Sequence, residues 1–155
     1  MTSSLMIAGY ASLFGQVDLA GDVVRHGAFA GSLQRLPAAA IRMLYQHDPD
    51  QPIGHWIEAF EDDVGLWMRG QIRVERPQIQ TVANLVQSGL ADGLSIGFRT
   101  LAFEPRPSGG RILTSIDLRE VSIVTFPMLP RARFRVSSPT RTGPPARRVE
   151  LASPL

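Results

Sequence analysis

The feature that most restricts this chain is that its apolar residues come in runs of ten or fewer, each closed off by Gly, Pro or Asp. LMIAGYASLF, IRMLYQ, PIGHWIEAF, GLWMRGQIRV, LSIGFRTLAF, GRILTSIDL and EVSIVTF recur in this way along the first 126 residues. Runs of that length bounded by turn residues read as strands, and none approaches the roughly 18 to 20 apolar residues that a membrane span needs. Two segments break the rhythm. In PQIQTVANLVQSGL, Ile79, Val82, Ala83, Val86 and Leu90 recur at helical spacing, with Pro77 suited to the first turn and Gly89 to the end. In HGAFAGSLQRL, Phe29, Leu33 and Leu36 share a face before Pro37 stops the helix. The expected fold class is therefore α+β: a mainly antiparallel β-barrel or sheet with about two helices.

A chain of 155 residues has room for one such domain and one core. The domain is expected over residues 1–136. From Ser137 onward the sequence SSPTRTGPPARRVELASPL is rich in Pro, Ser, Thr and Arg and has no apolar period, so a disordered tail is expected there. Charge follows the same division. Residues 1–130 carry ten Arg against thirteen Asp and Glu, net −3, whereas residues 131–155 carry six Arg against Glu150, net +5. A basic pI that comes from a tail implies no nucleic-acid groove on the folded body. With no cysteine, disulfides, thiolate nucleophiles and Cys-based zinc sites are excluded. The start MTSSLMIAGY has no basic n-region, long apolar region or cleavage site, so the chain is expected to stay in the compartment where it is made.

Three histidines could serve as a base. His47 closes the run IRMLYQ and precedes the turn-like DPD, which places it where a strand leaves the sheet. His55 lies inside a strand-like run beside Trp56, and His26 in a Gly-flanked loop; both read as structural. Ser95, in DGLSIGF, follows the helix and opens a strand, with Gly93 and Gly97 leaving little side-chain bulk beside it, so that a substrate backbone could approach. The plainer reading is a strand-edge serine after a glycine turn, and GLSIG is not the G-x-S-x-G elbow, because the strand follows the serine. In LREVSIVTFP, strand alternation puts Leu118, Glu120, Ser122 and Val124 on one face. A carboxylate set there among aliphatic residues needs a partner, either an arginine at the sheet rim or the Nδ1 proton of a histidine.

Taken together and in order, five segments resemble the HK97-type phage prohead (capsid maturation) serine proteases: GYASLFGQVDLAGDVVRHGAF, LYQHDPDQPIGHW, EDDVGLWMRGQI, LADGLSIGF and DLREVSIVTFPMLPRA. That family is thought to share its fold with the herpesvirus assemblins, whose triad is Ser-His-His. The resemblance implies a serine endopeptidase that cleaves the major capsid protein, or its scaffolding segment, inside the immature capsid in the host cytoplasm. It also implies catalytic roles for Ser95 and His47 and no cofactor or metal. No histidine lies in the strand after Ser95, so the third member falls to Glu120, with Asp48 a weaker choice because it adjoins His47 along the chain. Related assemblins work as dimers, which makes a homodimer compatible with the resemblance. No membrane or nucleic-acid partner is expected. The competing reading is a non-enzymatic capsid assembly or scaffold module of the same fold.

Overall fold

The computed structural model describes residues 5–137 and residue 144; the tail expected beyond Ser137 lies outside the described residues. The elements in chain order are β1 (Leu5–Leu13), β2 (Val23–Val24), α1 (Ala30–Arg35), β3 (Arg42–Tyr45), β4 (Asp48–Glu61), β5 (Gly65–Ile72), α2 (Gln80–Gln87), β6 (Gly93–Pro105), β7 (Arg111–Val124) and β8 (Phe134–Val136). Side by side the strands run β2-β7-β3-β4-β5-β1-β8, with β6 also on β7. The α+β expectation holds: most pairs are antiparallel and there are two α-helices. β2 and β3 are the exceptions, running parallel to β7. Because β6 pairs with β7 along its whole length, the short strands β2 and β3 share β7's other edge.

The sheet curls until its ends meet. β8 bonds to β1, and the chain just before it reaches the start of β6, where the Leu94 amide donates to the Ala132 carbonyl at 2.9 Å and the Phe134 amide to the Asp92 carbonyl at 2.9 Å. The interior is filled by Ile7, Trp56, Leu66, Met68, Ile72 and Leu94, and the same core takes in Phe29 and the Val82/Ala83/Val86 face of α2. The indole of Trp56 donates to the Val121 carbonyl at 3.2 Å, which satisfies a buried polar group and pins β7 to the core. Among the described residues no helix is long and apolar enough to cross a membrane.

Four sequence expectations need correction. GRILTSIDL and EVSIVTF are one strand, β7, whose irregular register joins them. Leu90 is 68% exposed, because the helix ends at Gln87 and Gly89 turns the chain with φ +79° before the periodic pattern is complete. DPD is not a turn: Asp48–Pro49–Asp50 already belongs to β4, and the turn is Gln46–His47. Finally, Leu118 does not share a face with Glu120. Gly97 faces Glu120 while Phe98 faces Leu118, so Arg119 is an extra residue bulged out of β7. The bulge returns Leu118 to the core side with Val121 and Ile123, all three fully buried. It also frees the Leu118 amide from the ladder, and Ser32 Oγ of α1 accepts it at 2.9 Å.

Candidate active site

His47 sits at the tip of a two-residue turn between β3 and β4, where Tyr45 pairs with Asp48. Gln46 and His47 both have positive φ, 54° and 62°, the pattern of a type I′ hairpin turn. Neither is the Asn or Gly that such a turn prefers, and each residue held there costs about 1–2 kcal/mol. Hydrogen bonds to β7 and beyond offset that cost. The Gln46 amide donates to the Ile123 carbonyl at 2.9 Å, and the His47 amide donates to Ser122 Oγ at 3.1 Å. The Gln46 carboxamide donates to Thr125 Oγ1 at 3.1 Å and accepts the Thr125 amide at 3.3 Å. The imidazole is thereby aimed from a turn with little freedom to reorient.

Glu120 is the residue it meets. One carboxylate oxygen, Oε1, bonds His47 Nδ1, and the other, Oε2, accepts the hydroxyl of Ser122. The Glu120 side chain is 12% exposed and that of His47 44%. Arg42 lies opposite Glu120 in the β3–β7 register, so an arginine partner was within the fold's reach. Among the described residues, however, no arginine forms an ion pair with Glu120, and Arg119 pairs with Asp117 at 2.9 Å. Asp48 turns to its own strand and accepts the Asp50 amide at 2.9 Å.

Ser95 lies on β6 directly across from Ser122. It is 6% exposed, and its side chain has no hydrogen bond among the described residues; it is not bonded to His47. It lines a small cleft of about 50 Å³ whose walls include Ala11 and Leu13 of β1, Leu94, Met128 and Leu129. Ser95 and Gly97 therefore oppose Ser122 and Glu120 across one strand pair, and His47 bonds to the latter two. The space beside the two glycines is not open to a substrate, contrary to the sequence reading. A Cβ on Gly97 would overlap the Glu120 carboxylate and come within 2.7 Å of its Cγ, and one on Gly93 would come within 2.8 Å of the Pro127 ring. Gly97 is small because the Glu120 side chain crosses over it.

The hydrogen bond from Glu120 raises the His47 pKa above the usual histidine value; burial opposes this, and the negative charge of Glu120 adds to it. The other histidines stand apart. His26 packs edge-on against Phe14 with ring centroids 5.1 Å apart. His55, on β4, keeps a buried Nδ1 without a partner. Among the described residues no three His, Asp or Glu side chains gather as a metal-binding group.

Residues 1–142 match the model of the caudovirus prohead serine proteases. The chain belongs to that family. A member named prohead protease, from Enterobacteria phage HK97, is 34% identical over 123 residues, which cover 77% of this chain and 54% of that protein. A capsid polyprotein of Pseudomonas phage PAJU2 is 38% identical over 104 residues, covering 63% of this chain and 15% of that protein. The chain thus spans about half of the first relative and a small part of the second. Among solved structures, the capsid assembly protease gp21 of bacteriophage T4 superposes with a TM-score of 0.61 at 15% identity, over 77% of this chain and 80% of that one. The protease of Kaposi's sarcoma-associated herpesvirus, solved with a hexapeptide phosphonate inhibitor, gives a TM-score of 0.50 at 15% identity, over 79% and 60%. At such identities these structures speak to the fold, which this chain shares with them.

The network around His47 contains residues that the sequence alone did not single out for this purpose. Gln46 and Thr125 look like ordinary polar residues beside strands, and Ser122 was notable only for sharing a face with Glu120.

Proposed function

We propose that this chain is a serine endopeptidase of capsid maturation, with Ser95 as nucleophile, His47 as general base and Glu120 as the group that orients His47. The observation that carries this reading is the bond from Glu120 to His47 Nδ1, made on the strand that pairs with the strand of Ser95. With Nδ1 engaged, Nε2 is the nitrogen left to take a proton. In the reaction, Ser95 Oγ attacks a peptide carbonyl as its proton passes to His47 Nε2, and Glu120 stabilises the imidazolium. His47 then protonates the leaving amine as the C–N bond breaks, and water hydrolyses the acyl-enzyme by the same route. The narrow, largely apolar cleft beside Ser95 has room for one small side chain of the substrate.

The substrate proposed is the major capsid protein or its scaffolding segment, within the prohead in the host cytoplasm. The names of the HK97 relative and of the T4 structural neighbour support this, as does the resemblance of this chain to a segment of a phage capsid polyprotein. Confinement in a particle would raise the effective concentration of substrate. The test is co-expression with the neighbouring major capsid protein gene and mass measurement of both products. Ser95→Ala is expected to abolish processing, a fall of about 10⁴-fold or more, with melting within about 0.5 kcal/mol of the parent. Normal processing by a folded Ser95→Ala protein would refute Ser95 as the nucleophile, and no processing by the folded parent chain would leave it as an assembly module.

A further inference from the structure

We infer that Ser122 is a positioning residue that locks the base and its orienting carboxylate into one unit; the inference rests on the assignment of His47 and Glu120 above. Ser122 is fully buried, near the C-terminal end of β7, between β3 and β6. A serine hydroxyl has one proton to donate and lone pairs to accept with, and both capacities are used here on the two residues of interest. The proton goes to Glu120 Oε2, and the oxygen accepts the His47 amide at 3.1 Å.

The geometry explains why a hydroxyl is placed there. A glutamate side chain ends in a soft torsion with broad wells, so a single bond from Oε1 to His47 would leave the carboxylate free to rotate. With Oε1 on the imidazole and Oε2 on Ser122, that rotation is fixed at both ends. The His47 amide belongs to a residue in the left-handed region, φ 62°. Ser122 is the partner that holds that backbone in place, while Thr125 holds the side chain of Gln46, the residue before it. Gly97 completes the arrangement by leaving the Glu120 carboxylate room to lie flat across β6. The proton of Ser122 is committed to Glu120 and its side chain is closed to solvent, so it does not compete with Ser95 as nucleophile. Alanine at 122 would leave a carboxylate oxygen and an amide without their shared partner, and buried polar groups do not tolerate this freely.

The experiment compares the whole chain with Ser122→Ala, Ser122→Thr and Ser95→Ala. Cleavage is followed on a peptide spanning the site mapped in the co-expressed capsid protein, and the His47 ring is titrated by NMR. Ser122→Ala is expected to lower kcat 10- to 100-fold with KM within about threefold, and to bring the His47 midpoint down toward the ordinary value. Ser122→Thr, which keeps the hydroxyl, is expected to recover the His47 midpoint. Should Ser122→Ala not fold, Ser122→Cys takes its place, with a weak donor of similar size and the same directions expected. An unchanged His47 midpoint in the folded variant, with or without a loss of rate, would overturn the inference, because packing damage alone does not move that titration selectively. If Ser95→Ala still cuts, the nucleophile assignment fails instead, and the His47 titration still decides the role of Ser122.

Discussion

The hairpin of β6 and β7 has two unlike halves. At one end, Gly93–Gly97 and Glu120–Val124 lie against the body: Leu94, Val121 and Ile123 fill the core, and Ser95, Glu120 and Ser122 occupy the opposite face. At the other end β6 runs out into solvent, while β7 keeps Leu113 and Ile116 in the core. There Leu101 and Phe103 are more than half exposed, and Arg25 pairs with Glu104 at the surface at 2.9 Å. The bulge at Arg119 separates the halves. A hydrogen bond in the first half is made where water is scarce, so losing a partner leaves a group unsatisfied; an ion pair in the second exchanges with water at little cost. Polar residues on one strand pair are thus of two kinds, and position relative to the bulge tells them apart.

Substitutions on either side of the bulge should then differ by orders of magnitude. The largest effect short of losing the nucleophile is expected from Glu120→Gln, which should keep the fold but lower turnover about 100- to 10,000-fold, roughly 3 to 5 kcal/mol of barrier. Its pH behaviour has a definite sign. His47 must be neutral to act as base, so activity should rise with pH through its raised pKa. The stabilisation from charged His47 and Glu120 runs the other way: it is fully present below the unfolded value near 6.5 and lost as pH rises through the folded one. In Glu120→Gln the acid limb of kcat/KM should shift to lower pH. A turnover rate within about threefold of the parent, about 0.65 kcal/mol, would remove Glu120 from the site.

Gly97→Ala comes next. Its methyl group must displace the Glu120 carboxylate, so a fall in kcat of about 10- to 100-fold is expected, with a stability loss of about 1 to 3 kcal/mol from overpacking. Full activity with an unshifted pH profile would show that Glu120 does not need its position over Gly97. The smallest effect belongs to the exposed half. Arg25→Ala removes a pair whose side chains are 50% and 56% exposed, and it should change stability by about 0 to 1 kcal/mol and turnover not at all. A tenfold loss of rate there would erase the contrast between the halves.

How far the sequence could be read depends on whether a residue's role is local. The longer strands and both helices were legible because apolar spacing reports which face is buried, as Val82, Ala83 and Val86 show in α2; the short β2 and β8 were not. His47 could be placed at a strand end because IRMLYQ stops there. The bulge at Arg119 was not legible: it is set by the pairing of β7 with β6 and by a hydrogen bond from the Leu118 amide to Ser32, 86 residues away. Strand alternation run through that bulge misplaced Leu118 although it placed Glu120 and Ser122 together. The role of Gly97 was misread for a related reason, since an open space beside a glycine and one filled from the next strand look alike in sequence.

The account turns on Ser95 being the one serine that His47 activates, and covalent labelling tests this most directly. The folded chain would be treated with a fluorophosphonate, which reacts with an activated serine hydroxyl, then digested and mapped by mass. A single adduct on Ser95, absent in Ser95→Ala and slowed at least tenfold in Glu120→Gln, is the expected result. An adduct on Ser122 or another serine, or none from a preparation that still cleaves capsid protein, would contradict it.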